Sequence, residues 1–155
     1  MIEIYTDGSA VSRKGENHMK GGFGIVFMVN GEIKKTISKG YYPTKIGRME
    51  LMAVLNALKI LDVSQKATIY SDSMYCLNCF LKNWLKGWEK QGWPERIKNQ
   101  DILKPLLNEY RKFPPNSIKF THVKGHMGNF GNEEADKLAS YTNFTVFEKD
   151  LDIEI

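Results

Sequence analysis

Between Gly21 and Leu61 the hydrophobic pattern changes period once, and that change fixes the class of fold. "GGFGIVFMV", then Asn30-Gly31, then "EIKKTISKGYY" reads as two strands joined by a tight hairpin, because Asn-Gly tolerates the positive φ such turns need. From Arg48 to Leu61, "RMELMAVLNALKIL" then sets Leu51, Val54, Leu55, Leu58 and Leu61 at helical spacing on one broad face. Ahead of the hairpin, "IEIYTDGSA" alternates into a turn as a further strand. Beyond the helix, "KATIYSDS" reads as a buried strand ending in a turn and "SIKFTHV" as another. "MYCLNCFLKNWL", "NQDILKPLLNEYRKF" before Pro114-Pro115, and "NEEADKLASYT" read as helices, with Gly87, Gly92 and Pro94 breaking the pattern after the first. Strands followed by alternating helices and strands imply an α/β sheet of mixed direction.

The chain has 155 residues, 42% of them hydrophobic, enough for one domain with a sizeable core. No stretch of about 18 apolar residues spans a bilayer, and "MIEIYTDGSA" lacks the basic start of an export signal, so a cytoplasmic protein without membrane contact is expected. Cys76 and Cys79 form a single C-x-x-C, too few for a disulfide framework and one pair short of a four-cysteine zinc site. They read as reduced packing residues.

The net charge is +4 and the sequence pI about 9.0. Its distribution says more than its total. "KNWLKGWEKQGWPERIK", residues 82 to 98, sets Lys82, Lys86, Lys90, Arg96 and Lys98 against Glu89 and Glu95, a local +3. The last eight residues, "EKDLDIEI", carry a local −3, so the body alone would stand at +7. Lysines interleaved with Trp84, Trp88 and Trp93 suit a phosphate backbone and stacking on sugars or bases, although Leu81, Leu85 and Trp88 share a helical face that favours packing for Trp88.

Acids mark the ends of strands and the starts of helices. Asp7 precedes Gly8-Ser9, and Asp72 ends "ATIYSD"; at the carboxyl ends of strands in an open α/β sheet, side chains collect around one crevice. Glu50 is expected in the first turn of the long helix and Asp136 in the first turn or so of the last one. If both helix starts face that crevice, four carboxylates converge. Taken singly, an Asp before Gly-Ser is a common turn residue, and Glu133, Glu134 and Asp136 suit a helix N-terminus. Together they would repel one another unless a cation intervened, and an all-oxygen site suits Mg²⁺ or Mn²⁺ better than Zn²⁺. Two such ions about 4 Å apart serve an in-line phosphoryl displacement.

The motifs "YTDGSA", "RMELMAVLNAL", "IYSDSMY" and "HVKGHMGNFGNEEADKLA", in this order and over roughly residues 2 to 142, resemble ribonuclease HI, the type 1 ribonucleases H, in a bacterial or phage-like stand-alone form. The resemblance implies a ribonuclease H-like fold, a five-stranded mixed sheet flanked by helices, with a catalytic domain over 1–142 and a C-terminal tail over 143–155. It implies cleavage of the RNA strand of an RNA/DNA hybrid by a monomer, through two Mg²⁺ ions, leaving 5′-phosphate and 3′-hydroxyl ends. Asp7, Glu50, Asp72 and Asp136 would be the metal-binding acids, and His126 a mobile histidine that assists proton transfer or product release. Lys82, Trp84, Lys86, Lys90 and Lys98 would belong to a basic handle that grips the hybrid, and Asn99 to a pocket for a phosphate of the DNA strand.

The chain departs from that pattern in the substrate groove. "TKIGRME" supplies Ile46 and Gly47 where the family usually has two asparagines, and Met74 follows Asp72-Ser73 where a Gln or Asn is common. These departures keep a second reading open, a non-catalytic nucleic-acid-binding module on the same fold. The retained acids weigh against it, because negative charge in a groove gains a pure binder nothing.

Overall fold

The computed structural model describes residues 1–124 and 129–150. Five strands, β1 (Ile2–Val11), β2 (Met19–Val29), β3 (Glu32–Thr44), β4 (Ala67–Ser71) and β5 (Ile118–His122), form one sheet in the order β3-β2-β1-β4-β5. β1, β2 and β3 pair antiparallel, whereas β4 lies parallel to both β1 and β5. This is the mixed sheet expected from the hairpin followed by alternating elements. The hairpin turns at Asn30 and Gly31, both at positive φ.

The helices are α1 (Ile46–Ile60), α2 (Met74–Leu81), α3 (Trp84–Lys90), α4 (Gln100–Tyr110) and α5 (Phe130–Ala139). On one face of the sheet, Ile4, Phe23, Ile25 and Ile69 share a core with Leu51, Val54, Leu55, Leu58 and Leu61, the stripe anticipated for α1, all five buried. α4 closes this core with Leu103, Leu106 and Leu107. The opposite face carries a smaller cluster, Tyr5, Val26 and Met28 under Ala135 of α5.

Several boundaries differ from the sequence reading, each for a local reason. α1 begins at Ile46, so Glu50 lies in its second turn; the N-cap residue Lys45 offers no side-chain cap to mark the start. α5 begins at Phe130, capped by Asn129, whose side-chain oxygen accepts from the Asn132 N–H, so Asp136 also sits a turn further in. The helix expected to run through "MYCLNCFLKNWL" is interrupted at Asn83, at φ 55°, which leaves Leu81 exposed while Leu85 is buried. Gly87 does not end α3, which continues to Lys90. Cys76 and Cys79 are free, buried residues of α2. Among the described residues no helix is long and apolar enough to cross a membrane.

Beyond α5 the chain returns to the β3 edge. The Glu148 N–H donates to the Gly40 carbonyl at 2.9 Å, and the Tyr42 N–H donates to the Glu148 carbonyl at 2.8 Å.

Candidate active site

Strand register brings the first two acids together. Tyr5 and Tyr70 are the last paired residues of β1 and β4, and their rings stack at 4.7 Å. Asp7 and Asp72 each follow by two residues, which returns both to the same side of the pleat. β4 ends at Ser71, whereas β1 continues along β2 to Val11, so the sheet forks just where the two carboxylates emerge.

Two glycines let the other acids in. A Cβ on Gly8 would lie 2.4 Å from the Glu50 backbone nitrogen, so only glycine lets α1 approach β1 beside Asp7. Gly24, paired with Asp7 across β1 and β2, performs the same service on the opposite face, where a Cβ would lie 2.4 Å from the Ala135 carbonyl oxygen. The α5 backbone therefore rests on the sheet one residue before Asp136. The Ser9 hydroxyl donates to the Ala139 carbonyl at 2.6 Å and ties the end of that helix to β1.

The result is a buried carboxyl set among other carboxylates. Burial pushes the Asp7 carboxyl up to about 9, reinforced by the Asp72 charge and by the hydrogen bond and charge of Asp136, against a single opposing bond from the Gly8 N–H. Burial also raises Glu50, with a smaller contribution from Asp72, while a hydrogen bond with Ser73 pulls the other way. Ser73 caps α2 by accepting from the Cys76 N–H at 3.2 Å, so its place is fixed. Among the described residues, no three acidic, histidine or cysteine side chains are drawn together closely enough to hold an ion as they stand. The donor chemistry nevertheless fits a hard divalent cation: these are carboxylate oxygens, and what raises Asp7 is burial and anionic neighbours, which a cation would offset. An open cleft of about 600 Å³, lined by Ser9, Asp136, Lys137 and Ser140 among others, lies alongside.

His126 lies outside the described residues. Lys82, Lys86, Lys90 and Lys98 are exposed, and among the described residues none has an ion-pair partner. Trp84, Trp88 and Trp93 are half-buried against the main core, Trp84 and Trp88 with ring centroids 5.8 Å apart. Asn99, at φ 66°, accepts from Arg48 Nη1 at 3.3 Å through its side-chain oxygen and donates to the Tyr75 hydroxyl at 3.1 Å. Ile46 and Met74 are exposed, and Gly47 lies against the Tyr75 ring.

Sequence reading did not single out Arg48, Thr44, Ser73 or Asp150. Arg48 is 5% exposed, pairs with Asp101 through two hydrogen bonds at 3.0 and 2.6 Å, and also bonds both oxygens of Asp150. Ser73 had a readable signal, a serine just ahead of a helix. The Arg48–Asp150 pair, joined from residues far apart in the chain, had none.

A five-stranded sheet in this order, with acids at the fork between β1 and β4, is the ribonuclease H-like class of α/β fold. LC9-RNase H1, a type 1 RNase H with the type 2 active-site motif, superposes with a TM-score of 0.72 at 22% identity over 89% of this chain and 69% of that one. A foamy viral protease-reverse transcriptase in complex with dsDNA superposes with a TM-score of 0.76 at 26% identity, covering 94% of this chain and 95% of that one. The RNase H family model matches residues 1–143, and the chain belongs to that family. The Ribonuclease H of Syntrophomonas wolfei is 41% identical over 143 residues, 89% of this chain and 92% of that protein.

Proposed function

We propose that this protein hydrolyses the RNA strand of RNA/DNA hybrids, with Asp7, Glu50, Asp72 and Asp136 holding two divalent ions, Mg²⁺ by preference and Mn²⁺ as a substitute. The observation that carries the reading is the buried Asp7 carboxyl, raised by burial and by Asp72 and Asp136, on a fold of the RNase H family. When bound, the ions supply charge to the attacking and leaving oxygens of an in-line displacement, which leaves 5′-phosphate and 3′-hydroxyl ends.

The protein's own groups do the rest. Asp7, anchored by the Gly8 N–H at 3.0 Å, would hold the ions together with Asp72 and Asp136, whose charges already act on it. The Ser73 hydroxyl favours the charged form of Glu50. His126 accepts or returns a proton at the scissile phosphate. Lys82, Lys86, Lys90 and Lys98 hold the hybrid's backbone, Trp84 lends an apolar surface at the base of that segment, and Asn99 contacts a phosphate of the DNA strand. With apolar Ile46 and Met74 exposed beside the acids' helices, groove contacts to 2′-hydroxyls fall to other residues than the usual amides.

The test is cleavage of a labelled hybrid with and without Mg²⁺, beside duplex DNA, duplex RNA and single strands. Ion-dependent loss of the RNA strand of the hybrid alone is expected. Hybrid binding without cleavage at any Mg²⁺ concentration would instead favour the binding-module reading. His126→Ala should slow cleavage by about 10²- to 10⁴-fold, the range of general acid-base assistance. An unchanged rate between pH 6 and 9 would remove His126 from the chemistry.

A further inference from the structure

We propose that the cleft walled by Arg13, Lys20, Tyr141, Phe144 and Phe147 is a further nucleic-acid site, which stacks an unpaired nucleotide of the RNA strand where that strand runs beyond the hybrid. The proposal rests on the hybrid-cleaving reading above and extends it to the shape of the preferred substrate.

The cleft has an open volume of about 310 Å³, and Thr142 completes its lining. It continues the larger cleft beside Asp136, because Tyr141 and Thr142 line both. Val11, in the wall of the larger cleft, is also the register partner of Lys20, in the wall of the smaller one, at the far end of the β1–β2 pair. A strand whose phosphate lies at the acids therefore finds a continuous groove leading to these rings.

Cations stand over the aromatic rings around this cleft. The Arg13 guanidinium lies 5.5 Å from the Tyr141 ring centroid, and the Lys20 ammonium lies 5.7 Å from that of Phe147 and 5.6 Å from that of Tyr42. Arg13 is loosely held by Glu16, at 4.0 Å with 63% of its side chain exposed, and among the described residues Lys20 has no ion-pair partner. The acids of the C-terminal segment are engaged elsewhere, Glu148 with Lys39 at 3.2 Å and Asp150 with Arg48 at 2.8 Å. Among the described residues no acid lines the cleft. Ring faces beside positive charge are what a single-stranded base and its phosphate require.

The platform is held in place before any strand arrives. Phe144 sits in a notch over Gly22 and Gly40, partners across β2 and β3: a Cβ would lie 2.4 Å from its ring at the first and 2.6 Å at the second. Phe147 meets Phe144 edge to face, with centroids 6.0 Å apart, and stays half-buried. The two backbone bonds between Glu148 and the β3 edge fix the chain just beyond it. Ser140 accepts from the Thr142 N–H and sets the turn that carries Tyr141. Rings already positioned lose little freedom when a base stacks on them.

The test uses the full chain with Asp7→Asn, so that hybrid is bound and not cut. It compares a blunt RNA/DNA hybrid with hybrids whose RNA strand carries a short unpaired extension at one end or the other. An extension at one of the two ends should lower Kd by about 5- to 100-fold, the effect of one stacked base. Tyr141→Leu combined with Phe147→Leu keeps apolar bulk and removes the ring faces. It should erase that advantage while leaving Kd for the blunt hybrid nearly unchanged. Lys20→Ala, which removes a charge and no ring, should reduce the advantage and flatten its salt dependence. A fluorescent base analogue in the extension should be quenched by the parent and not by the double leucine variant. If neither extension tightens binding to the parent, or if the gain survives in every variant, the proposal is overturned; cleavage of blunt hybrid by the chain with Asp7 intact does not depend on that result. If no form binds or cuts hybrid while a single-stranded RNA oligomer still binds the parent and not the leucine variant, the cleft stands and the reading of the hybrid falls.

Discussion

Asp7 and Gly24 face each other across the antiparallel pair β1–β2, and the absent side chain of the second lets α5 bring Asp136 into hydrogen-bonding contact with the first. Gly24→Ala should therefore displace α5 as well as overpack the sheet. A loss of about 1–3 kcal/mol is expected in chemical denaturation, with cleavage falling further than stability. Gly87→Ala is the control: its Cβ would meet nothing within 4 Å in the middle of α3, so a gain of about 0.5–1 kcal/mol is expected. Equal effects of the two changes on cleavage would disconnect Gly24 from the site.

Asp7→Asn should abolish cleavage, by well over the roughly 10- to 100-fold cost of losing a mere outer partner of a metal ligand. In ion-free buffer it should also stabilise the fold. The folded carboxyl is raised to about 9, so the stability it contributes is complete below the unfolded value near 4 and is lost as pH rises through the folded one. The gain from the amide is thus larger at pH 8 than at pH 5. It should appear as a higher thermal midpoint, at roughly 2–4 °C for each kcal/mol. A midpoint lower than the parent's at pH 8 would show that Asp7 is not strained by its neighbours.

Divalent ions should bind with release of protons at pH 7, because an Asp7 raised to about 9 must deprotonate to become a ligand. Affinity for Mg²⁺ should rise from pH 6 toward pH 9. Calorimetry in two buffers of different ionisation heat measures the protons directly. Binding that is independent of both buffer and pH would place the ion elsewhere.

Lys86→Ala and Lys90→Ala should each raise KM with little change in kcat, since both lysines are exposed and belong to α3, which carries none of the four carboxylates. If each contacts one phosphate, the dependence of log Kd on log salt should flatten by about 0.9 per substitution. An unchanged slope would assign the charge of α3 to solubility alone.

Much of this architecture was legible because the signals were local. Asn30-Gly31 marked the hairpin, and Leu51, Val54, Leu55, Leu58 and Leu61 marked the buried face of α1. Asp7 and Asp72 could be placed on strand ends because each closes an apolar run, and the register through Tyr5 and Tyr70 does bring them out on one side. What stayed hidden was decided between distant parts of the chain. Gly8 and Gly24 read as turn or strand glycines; their importance lies in which helix backbone comes within reach. Asn83 was hidden because a left-handed residue inside an apolar helical pattern leaves the periodicity almost intact. Asp150 was hidden because an acid in a tail reads as solvated until its arginine is found 102 residues away.

The bond from Ser9 to the Ala139 carbonyl spans 130 residues and says something about when the site exists. The four acids are drawn from nearly the whole length of the chain, so during N-to-C synthesis the group stays incomplete until α5 has emerged. Closing so long a loop is an entropically slow step. Carboxylates that repel one another contribute nothing to hastening it. The remainder of the fold, with its separate leucine-rich core, has to carry them into place, and assembly of the acidic cluster then coincides with completion of the native state.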